Sequence, residues 1–270
     1  MEGQPIKTRI STALVALPLL VLVIIYSSQN FFNLMVTIVS ALALYEFFKM
    51  CLPAERFFER NLATVAGALF AGFLCWQPSE SALLIVAGLF MLFAMVYLFR
   101  FRDLSTVMAQ LGITVIGFLY LPLMLSFLPK LRTLESGVEW VFLVLVLVMV
   151  GDSAAYFVGS SIGKTKLYPA ISPNKSVEGA VGGLAGSLAA VSIYTLFFLP
   201  ELGFFSIVLI VFLVGILSQI GDLFESMLKR SCHVKDSGKM IPGHGGLLDR
   251  LDSLLFAFPT AYCLALFLGN

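Results

Sequence analysis

Long apolar runs are the feature that most constrains this sequence. Nine of them cover residues 10–26, 31–48, 62–76, 81–99, 107–128, 139–158, 176–199, 204–228 and 251–268. A transmembrane helix needs about 20 mainly apolar residues, whereas the strands of a membrane barrel alternate over short segments. Of the 270 residues, 59% are hydrophobic and 12% are charged, against roughly 25% charged in a soluble domain. The sequence therefore predicts an all-α, polytopic integral membrane protein with about nine transmembrane helices.

The lysines and arginines predict how these helices are oriented. With the N-terminus in the cytoplasm, 15 of the 17 basic residues fall on cytoplasmic segments, and only Lys130 and Arg132 fall outside. Basic residues are concentrated on the cytoplasmic side of membrane proteins. This distribution predicts a cytoplasmic N-terminus and an external C-terminus. We expect the protein in the cell inner (plasma) membrane. The run after Lys7 and Arg9 lacks a small-residue cleavage pattern, so we interpret it as an uncleaved first helix.

Polar chemistry is confined to two long cytoplasmic loops, residues 159–175 and 229–250. We therefore predict an N-terminal scaffold, residues 1–135, which also offers dimer contacts. The C-terminal catalytic region, residues 136–270, carries both loops and an active site facing the cytoplasm. The four cysteines include no CxxC pair, which argues against a disulfide framework or a structural zinc site. A net charge of +1 gives no reason to expect a nucleic-acid partner.

Acidic residues lie within several predicted spans, where charge is costly and a functional role is the default expectation. Asp152 lies about six residues before the end of the sixth span, roughly 9 Å below the interface at 1.5 Å per residue. Asp222 lies at a similar depth in the eighth span. Asp249 and Asp252 are predicted to share a face at the start of the ninth, and Glu178 begins the seventh. The polar stripe of the eighth span, at i, i+3 and i+4 spacing, consists of Ser218, Gln219, Asp222, Glu225, Ser226, Lys229 and Arg230.

Two interpretations of these acids are open. Buried ion pairs with Lys175, Lys229 or Arg250 would hold the helices together. Against this, five acids exceed what such pairs require, and carboxylates that repel one another gather stably around a cation. Oxygen ligands without a convincing histidine or cysteine set favour Mg²⁺ or a similar ion, which takes its remaining ligands from phosphates and water.

Glu46, in the second span, is interpreted differently. Lys49 follows it at i+3 near the helix end. This spacing favours a local ion pair, with the lysine side chain extending to the interface. We therefore predict that Glu46 lies outside the functional site.

Three glycine-rich segments predict different structures. GSSIGKT (159–165) has three residues between its glycines where a P-loop requires four, so we exclude a P-loop. EGAVGGLAG (178–186) has small-xxx-small spacing, which predicts close helix packing. PGHGG (242–246) leads into a helix N-terminus, where glycine N–H groups can approach an anion. We predict that His244 contacts phosphate there and that His233 is an ordinary loop residue.

Two segments of the C-terminal half resemble a known enzyme family. SMLKRSCHVKDSGKMIPGHGGLLDRLD, residues 226–252, resembles the signature of phosphatidate cytidylyltransferases, also called CDP-diacylglycerol synthases. It contains Ser, Lys-Arg, then after four residues Lys-Asp, a Pro-x-His-Gly-Gly turn and Asp-Arg-x-Asp. SPNKSVEG, residues 172–179, resembles the family's Ser-Pro-Lys-Lys-Thr-x-Glu-Gly pattern, with Asn174 and Ser176 as conservative departures.

The resemblance implies a reaction of phospholipid biosynthesis: CTP and phosphatidic acid give CDP-diacylglycerol and pyrophosphate, with Mg²⁺, in a homodimer. It implies that Asp222 and Asp249 hold the metal, with Asp152 as a further ligand or a neighbour of the ligands, and a second cation such as K⁺ is also expected. Lys175 completes the predicted catalytic set. The residues predicted to bind the substrates are Ser172, Glu178, Ser226, Lys229, Arg230, Lys235, Asp236, Lys239, His244, Gly245, Gly246, Arg250 and Asp252.

Two other classes of protein are less consistent with the sequence. An ion-coupled transporter would use the intramembrane acids as a pathway, but such proteins carry polar positions or broken helices near the midplane. Here the polar residues are concentrated in the cytoplasmic third of the spans. A CDP-alcohol phosphotransferase would carry an Asp-Gly-x-x-Ala-Arg motif, and this chain contains no Asp-Gly dipeptide.

Overall fold

A computed structural model describes residues 6–76, 81–241 and 245–268 of the chain. Within these ranges the chain is mainly α-helical, and the predicted apolar runs lie on helices, with the run 107–128 divided among three of them. The helices are α1 (Ile6–Tyr26), α2 (Gln29–Cys51), α3 (Phe57–Trp76), α4 (Ala82–Arg100), α5 (Leu104–Tyr120), α6 (Pro122–Leu125), α7 (Phe127–Arg132), α8 (Gly137–Ile162), α9 (Val177–Phe198), α10 (Phe204–Ser231) and α11 (Asp252–Leu268). Two 3₁₀ turns cover Ala54–Arg56 and Leu248–Arg250.

Several of these helices are long and apolar enough to cross a membrane. Among the described residues they are Gln29–Cys51, Ala82–Arg100, the stretch Leu104–Arg132, Gly137–Ile162, Val177–Phe198 and Phe204–Ser231. The described part of α1 from Leu17 and the whole of α11 are shorter apolar helices. Repeated spans of this kind define a multi-pass α-helical membrane protein.

The predicted fifth span, residues 107–128, is broken in the structure. Helix α5 ends at Tyr120, Pro122 occupies the first turn of α6, and α7 follows at Phe127. Proline has no N–H to donate, so the hydrogen bond from residue 122 to the preceding turn is missing, although Leu121 keeps helical backbone angles. The break at Pro122 therefore has a local cause in the sequence.

The loop between α4 and α5 contains a well-defined helix cap. Asp103 is the N-cap of α5, and its carboxylate accepts hydrogen bonds from the hydroxyl and the backbone N–H of Ser105. The hydroxyl bond, followed by the N–H bond, holds the pKa of the Asp103 carboxyl below its usual value. A capping carboxylate satisfies an N–H group at the start of the helix that has no intrahelical partner.

The first of two compact units contains residues 1–129 and 236–249. Its described core includes Phe47 and Phe48 of α2, packed edge to face with ring centroids 5.4 Å apart. A buried charge network lies at one end of α3. The Arg56 guanidinium donates to a Glu59 carboxylate oxygen at 3.1 Å and to the Arg100 carbonyl at 2.6 Å. Both Arg56 and Glu59 are 3% exposed.

The second unit contains residues 130–235 and 250–270. Its helices α8 and α9 approach closely because glycines face small side chains. A methyl group added at Gly186 would lie 2.5 Å from the Ala154 Cβ, and one added at Gly183 would lie 3.0 Å from the Gly151 carbonyl oxygen. The predicted packing role of EGAVGGLAG is thereby confirmed.

A short antiparallel hairpin occupies the loop between α8 and α9, where the sequence predicts only a polar loop. Strand β1 (Lys166–Tyr168) pairs with β2 (Ser172–Ser176), with Lys166 opposite Ser176 and Tyr168 opposite Ser172. Ser176 ends β2 and caps α9, since its hydroxyl accepts the Gly179 N–H at 3.1 Å. The hairpin therefore has a fixed connection to the start of α9.

Candidate functional site

The hairpin brings Lys175 to an acid of α10. The Lys175 ammonium lies 2.5 Å from a carboxylate oxygen of Asp222, and the two side chains are 30% and 26% exposed. The other Asp222 oxygen lies 3.4 Å from the Ser226 hydroxyl, which donates to it. Three residues predicted from the sequence to take part in the site are thus in contact.

The polar stripe of α10 faces neighbouring elements of its own unit. Gln219 donates to the Ala180 carbonyl of α9 at 3.1 Å. Glu225 is fully buried and forms an ion pair with Lys229 one turn later. The stripe is therefore partly structural, with Gln219 and Glu225 holding positions on either side of Asp222 along the helix.

Asp152 and Asp252 complete a cluster of acids around Asp222. The charges of Asp152 and Asp222 act on each other, and Lys175 attracts Asp152. Asp252 experiences the charges of Asp222, Lys229 and Asp152. The backbone also brings α10 and α11 close together, because a methyl group at Gly221 would lie 2.7 Å from the Asp252 carbonyl oxygen. Helices α8, α10 and α11 thus each contribute a carboxylate to this acid cluster.

The acid cluster offers oxygen ligands of the type that Mg²⁺ prefers. Among the described residues, no three histidine, cysteine, aspartate or glutamate side chains are positioned together to hold a metal ion. Lys175 occupies one Asp222 oxygen instead. Mg²⁺ usually takes only one or two carboxylates and completes its shell with phosphate and water oxygens. The residues therefore fit an ion that arrives with a phosphate-bearing ligand, and the metal remains a prediction.

Glu178 and Arg230 organise the backbone around the hairpin. The Glu178 carboxylate accepts the backbone N–H groups of Lys164 and Thr165 at 3.0–3.1 Å. The Arg230 guanidinium donates to the Ile171 carbonyl at 3.3 Å. The bond between Arg230 and Ile171 ties the end of α10 to the hairpin. The two loops predicted to carry the chemistry therefore meet within one unit.

Asp249 lies in the first unit, where it binds the backbone of the glycine-rich loop. Its carboxylate accepts the Ser237 N–H at 3.0 Å and the Gly246 N–H at 2.8 Å. Gly245 has a φ of +88°, a conformation that strongly favours glycine, and it pairs with Ile241 across a 3.0 Å backbone hydrogen bond. These bonds fix the Asp249 carboxylate against the backbone of the loop.

The predicted helical face shared by Asp249 and Asp252 is wrong. Asp249 lies in the 3₁₀ turn Leu248–Arg250, whereas α11 begins at Asp252. The Asp249 carboxylate is directed to the N–H groups of Ser237 and Gly246, which fixes it in the loop. The i, i+3 spacing was a poor guide here because the backbone is not yet α-helical at Asp249.

The predicted pair between Glu46 and Lys49 is also wrong. Among the described residues no ion pair joins them, and the Lys49 ammonium lies 5.7 Å from the centre of the Tyr45 ring. Glu46 is 3% exposed, and its carboxylate accepts the Leu248 N–H at 3.0 Å. In the sequence, the only signal that Glu46 contacts the loop was the presence of a carboxylate within a membrane span.

The other predicted substrate-binding residues differ in accessibility. Ser172 is half-buried at the start of β2, and Gly246 is buried in the loop. His244 lies outside the described residues, so its predicted phosphate contact keeps the status of a prediction. The exposed members of the set are Lys235, Asp236, Lys239 and Arg250.

These features define a multi-pass membrane protein with a cluster of acids and lysines suited to phosphate-bearing ligands. Its sequence is similar to those of known proteins. The sequence model of the Cytidylyltransferase family matches residues 7–268. A phosphatidate cytidylyltransferase of Bacillus subtilis is 33% identical over 273 residues, which cover 97% of this chain and 98% of that protein. One of Thermotoga maritima is 36% identical over 266 residues, 95% of each chain.

The chain belongs to the cytidylyltransferase family, because the family match extends over nearly its full length. A shorter match, to a phosphatidate cytidylyltransferase of Staphylococcus haemolyticus, is 40% identical over 162 residues, or 60% of this chain. The family resemblance predicted from the two C-terminal motifs is confirmed. Membership in a family of transferases also disfavours the alternative of an ion-coupled transporter.

Proposed function

We propose that this protein transfers the cytidylyl group of CTP to phosphatidic acid, forming CDP-diacylglycerol and releasing pyrophosphate in phospholipid biosynthesis. The observation that carries the proposal is the contact of Lys175 with Asp222, to which Ser226 also donates, so that Asp222 links the two family-like segments. Family membership over residues 7–268 supports the same reaction.

The proposed reaction needs no nucleophile from the protein. A phosphate oxygen of phosphatidic acid forms a bond to the α-phosphorus of CTP, while the bond from that phosphorus to the oxygen bridging to the β-phosphate breaks. The electron pair leaves with pyrophosphate. The protein is then required to position two anions and to neutralise the charge on the leaving group.

Lys175 and Lys229 are suited to hold the phosphates. Each ammonium already lies beside a carboxylate, Asp222 and Glu225 respectively. A phosphate group can therefore compete for an ammonium that the fold has already positioned. Arg230 contributes by fixing the hairpin through Ile171, which holds Lys175 in place.

The proposed Mg²⁺ would be held by Asp222 and Asp152, whose charges act on each other in the second unit. When bound, the ion would neutralise negative charge on the CTP phosphates. The role of Asp249 as a ligand stays a prediction from the family motif. It is tested by Asp249→Asn, which keeps the side-chain shape and one oxygen acceptor for the loop N–H groups.

We also infer nine membrane spans with the N-terminus inside, in the cell inner membrane, and an active site that faces the cytoplasm. The distribution of basic residues supports this arrangement, since 15 of 17 lie on one side. The homodimer and the second cation, K⁺, rest on the family resemblance alone. Mass measurement of the purified protein in detergent tests the dimer, and titration of K⁺ at fixed Mg²⁺ tests the second ion.

Radiolabelled CTP tests the proposed reaction. Purified protein is mixed with phosphatidic acid in detergent micelles, with and without Mg²⁺, and labelled lipid is extracted. Label carried on the cytidine should enter the lipid fraction, whereas label on the γ-phosphate should appear in pyrophosphate. Absence of labelled lipid from folded protein, at any divalent ion concentration tested, would overturn the proposal.

A further inference from the structure

Glu46 takes no part in the proposed chemistry, but it contacts the loop that contains Leu248. It projects from α2 and is 3% exposed. One carboxylate oxygen accepts the Leu248 N–H at 3.0 Å. The other is buried and has no hydrogen-bond partner among the described residues. Burying a carboxylate costs free energy that a solvent-exposed side chain would avoid. The buried position of Glu46 therefore calls for an explanation.

Two glycines of the same loop make room for this carboxylate. A methyl group added at Gly238 would collide with one Glu46 oxygen, and one added at Gly246 would lie 2.7 Å from the other. Gly238 carries no positive φ. The absence of a side chain at Gly238 is therefore explained by the approach of Glu46 rather than by backbone conformation.

Glu46 and Asp249 bind the same loop through different groups. Asp249 accepts the N–H groups of Ser237 and Gly246, which closes the loop on itself. Glu46 accepts the N–H of Leu248, the residue directly before Asp249, and thereby attaches the closed loop to α2. The backbone next to Asp249 is thereby bound by a carboxylate located 202 residues away from Leu248 in sequence.

We propose that Glu46 is a positioning residue for the transferase reaction. By binding the Leu248 N–H and filling the space left by Gly238 and Gly246, it holds the described residues of this loop, 236–241 and 245–249, in their working conformation. The inference rests on the proposed function for its effect on turnover. The attachment of the loop to α2 is a separate property and can be measured without turnover.

Three variants at Glu46, with one control, test the effect on turnover. Glu46→Ala removes the acceptor, and loss of a hydrogen bond to a charged group corresponds to about a 10- to 100-fold decrease in kcat/KM for CTP. Glu46→Gln keeps an oxygen for the Leu248 N–H and should stay within about 3-fold of wild type. Glu46→Asp withdraws the carboxylate by one methylene group and should fall between them. Lys49→Ala, on the same helix but outside the contact, should be unchanged.

A double substitution separates this contact from general damage to the fold. Gly238→Ala in the wild-type background places a methyl group against the Glu46 carboxylate and should lower kcat/KM about tenfold. In the Glu46→Ala background the obstacle is gone, so Gly238→Ala should change kcat/KM less than about twofold. Equal effects of Gly238→Ala in both backgrounds would overturn the proposed contact.

Amide hydrogen exchange measures the attachment of the loop directly. In Glu46→Ala, the peptide containing Leu248 should exchange about tenfold faster or more, while peptides of α2 and α3 keep their wild-type rates. Unchanged exchange at Leu248, or faster exchange throughout α2 and α3, would overturn the positioning role. If wild-type protein formed no labelled lipid, the proposed function would fail, yet this measurement would still decide whether Glu46 holds the loop.

Discussion

The Lys175–Asp222 pair allows stability and catalysis to be separated by charge reversal. Two single variants, Lys175→Glu and Asp222→Lys, each place like charges together. The double variant Lys175→Glu/Asp222→Lys restores an ion pair with the opposite polarity. If the pair only holds the hairpin against α10, the double variant should recover both stability and activity. If Asp222 holds a cation and Lys175 holds a phosphate, stability should recover and activity should not.

The magnitude of the structural effect follows from the geometry of the pair. At 2.5 Å, two unit charges in an effective dielectric of about 20 attract by roughly 7 kcal/mol before desolvation is counted. Both side chains keep over a quarter of their exposure, so solvent screening and desolvation offset most of this attraction. We expect about 1–3 kcal/mol of net coupling, which corresponds to roughly 2–10 °C in Tm for a chain of this size.

The effect on catalysis should be much larger. Removing one group that stabilises charge in a transition state typically lowers kcat by about 10²–10³-fold. Each single variant and the double variant should therefore lose at least about 10²-fold in cytidylyl transfer. Thermal unfolding in detergent supplies Tm, and labelled CTP supplies kcat/KM for the same preparations. Asp222→Asn is the isosteric control, expected to lose activity with a small change in Tm.

Two outcomes would refute the catalytic assignment of this pair. Activity of the double variant within about tenfold of wild type would mean that neither charge contacts a substrate or an ion with fixed polarity. Near-normal turnover of Asp222→Asn would lead to the same conclusion. In either case the ion-pair interpretation, left open by the sequence, would be the correct one for these residues.

Three further predictions concern folding and topology. Glu59→Ala removes the carboxylate partner of the buried Arg56 guanidinium and should lower the free energy of unfolding in detergent by about 3–5 kcal/mol, whereas Arg56→Met/Glu59→Leu removes both charges and should cost less. A loss for Glu59→Ala no larger than that of the double variant would contradict this account. Gly186→Ala should overpack α8 against α9, which should destabilise the protein by about 1–3 kcal/mol and lower its Tm. Gly88→Ala, with open space around the added methyl group, should leave Tm unchanged or raise it. Equal Tm shifts in the two variants would exclude the packing explanation. Glu201→Cys, in an otherwise cysteine-free protein, should react with a membrane-impermeant maleimide added outside intact cells. Labelling only after permeabilisation would show that the orientation is opposite to the one proposed.

The helices could be predicted from the sequence because the bilayer imposes a minimum length on each apolar run. The predicted runs lie on helices, and the predicted span 204–228 corresponds to the helix Phe204–Ser231. The run 107–128 was less informative, since hydrophobicity does not record the break that Pro122 introduces. The hairpin β1–β2 was also missed, because strands of three and five residues are too short for apolar periodicity to reveal them.

The site was only partly predictable because side-chain contacts depend on distant backbone. The depth of Asp152 and Asp222 indicated that they lie near each other, and their charges do interact. Whether Lys175 would pair with Asp222 or with another acid was not fixed by spacing. For Glu46 the nearby Lys49 was a misleading local signal, while the true partner, the Leu248 N–H, belongs to a loop at the other end of the chain.

The charge balance of the second unit explains why acids and lysines should occur together in a protein with this proposed function. Asp152, Asp222 and Asp252 act on one another with Lys175 and Lys229 as their cationic neighbours. With Glu225, the ion-pair partner of Lys229, four carboxylates outnumber these two ammonium groups, so a free triphosphate would meet net negative charge. A triphosphate that carries Mg²⁺ brings cationic charge for the carboxylates and anionic oxygens for the lysines. By linkage, an ion that strengthens nucleotide binding is itself bound more tightly when the nucleotide is present. The acids need not form a complete metal site alone, which is consistent with the arrangement of the described residues.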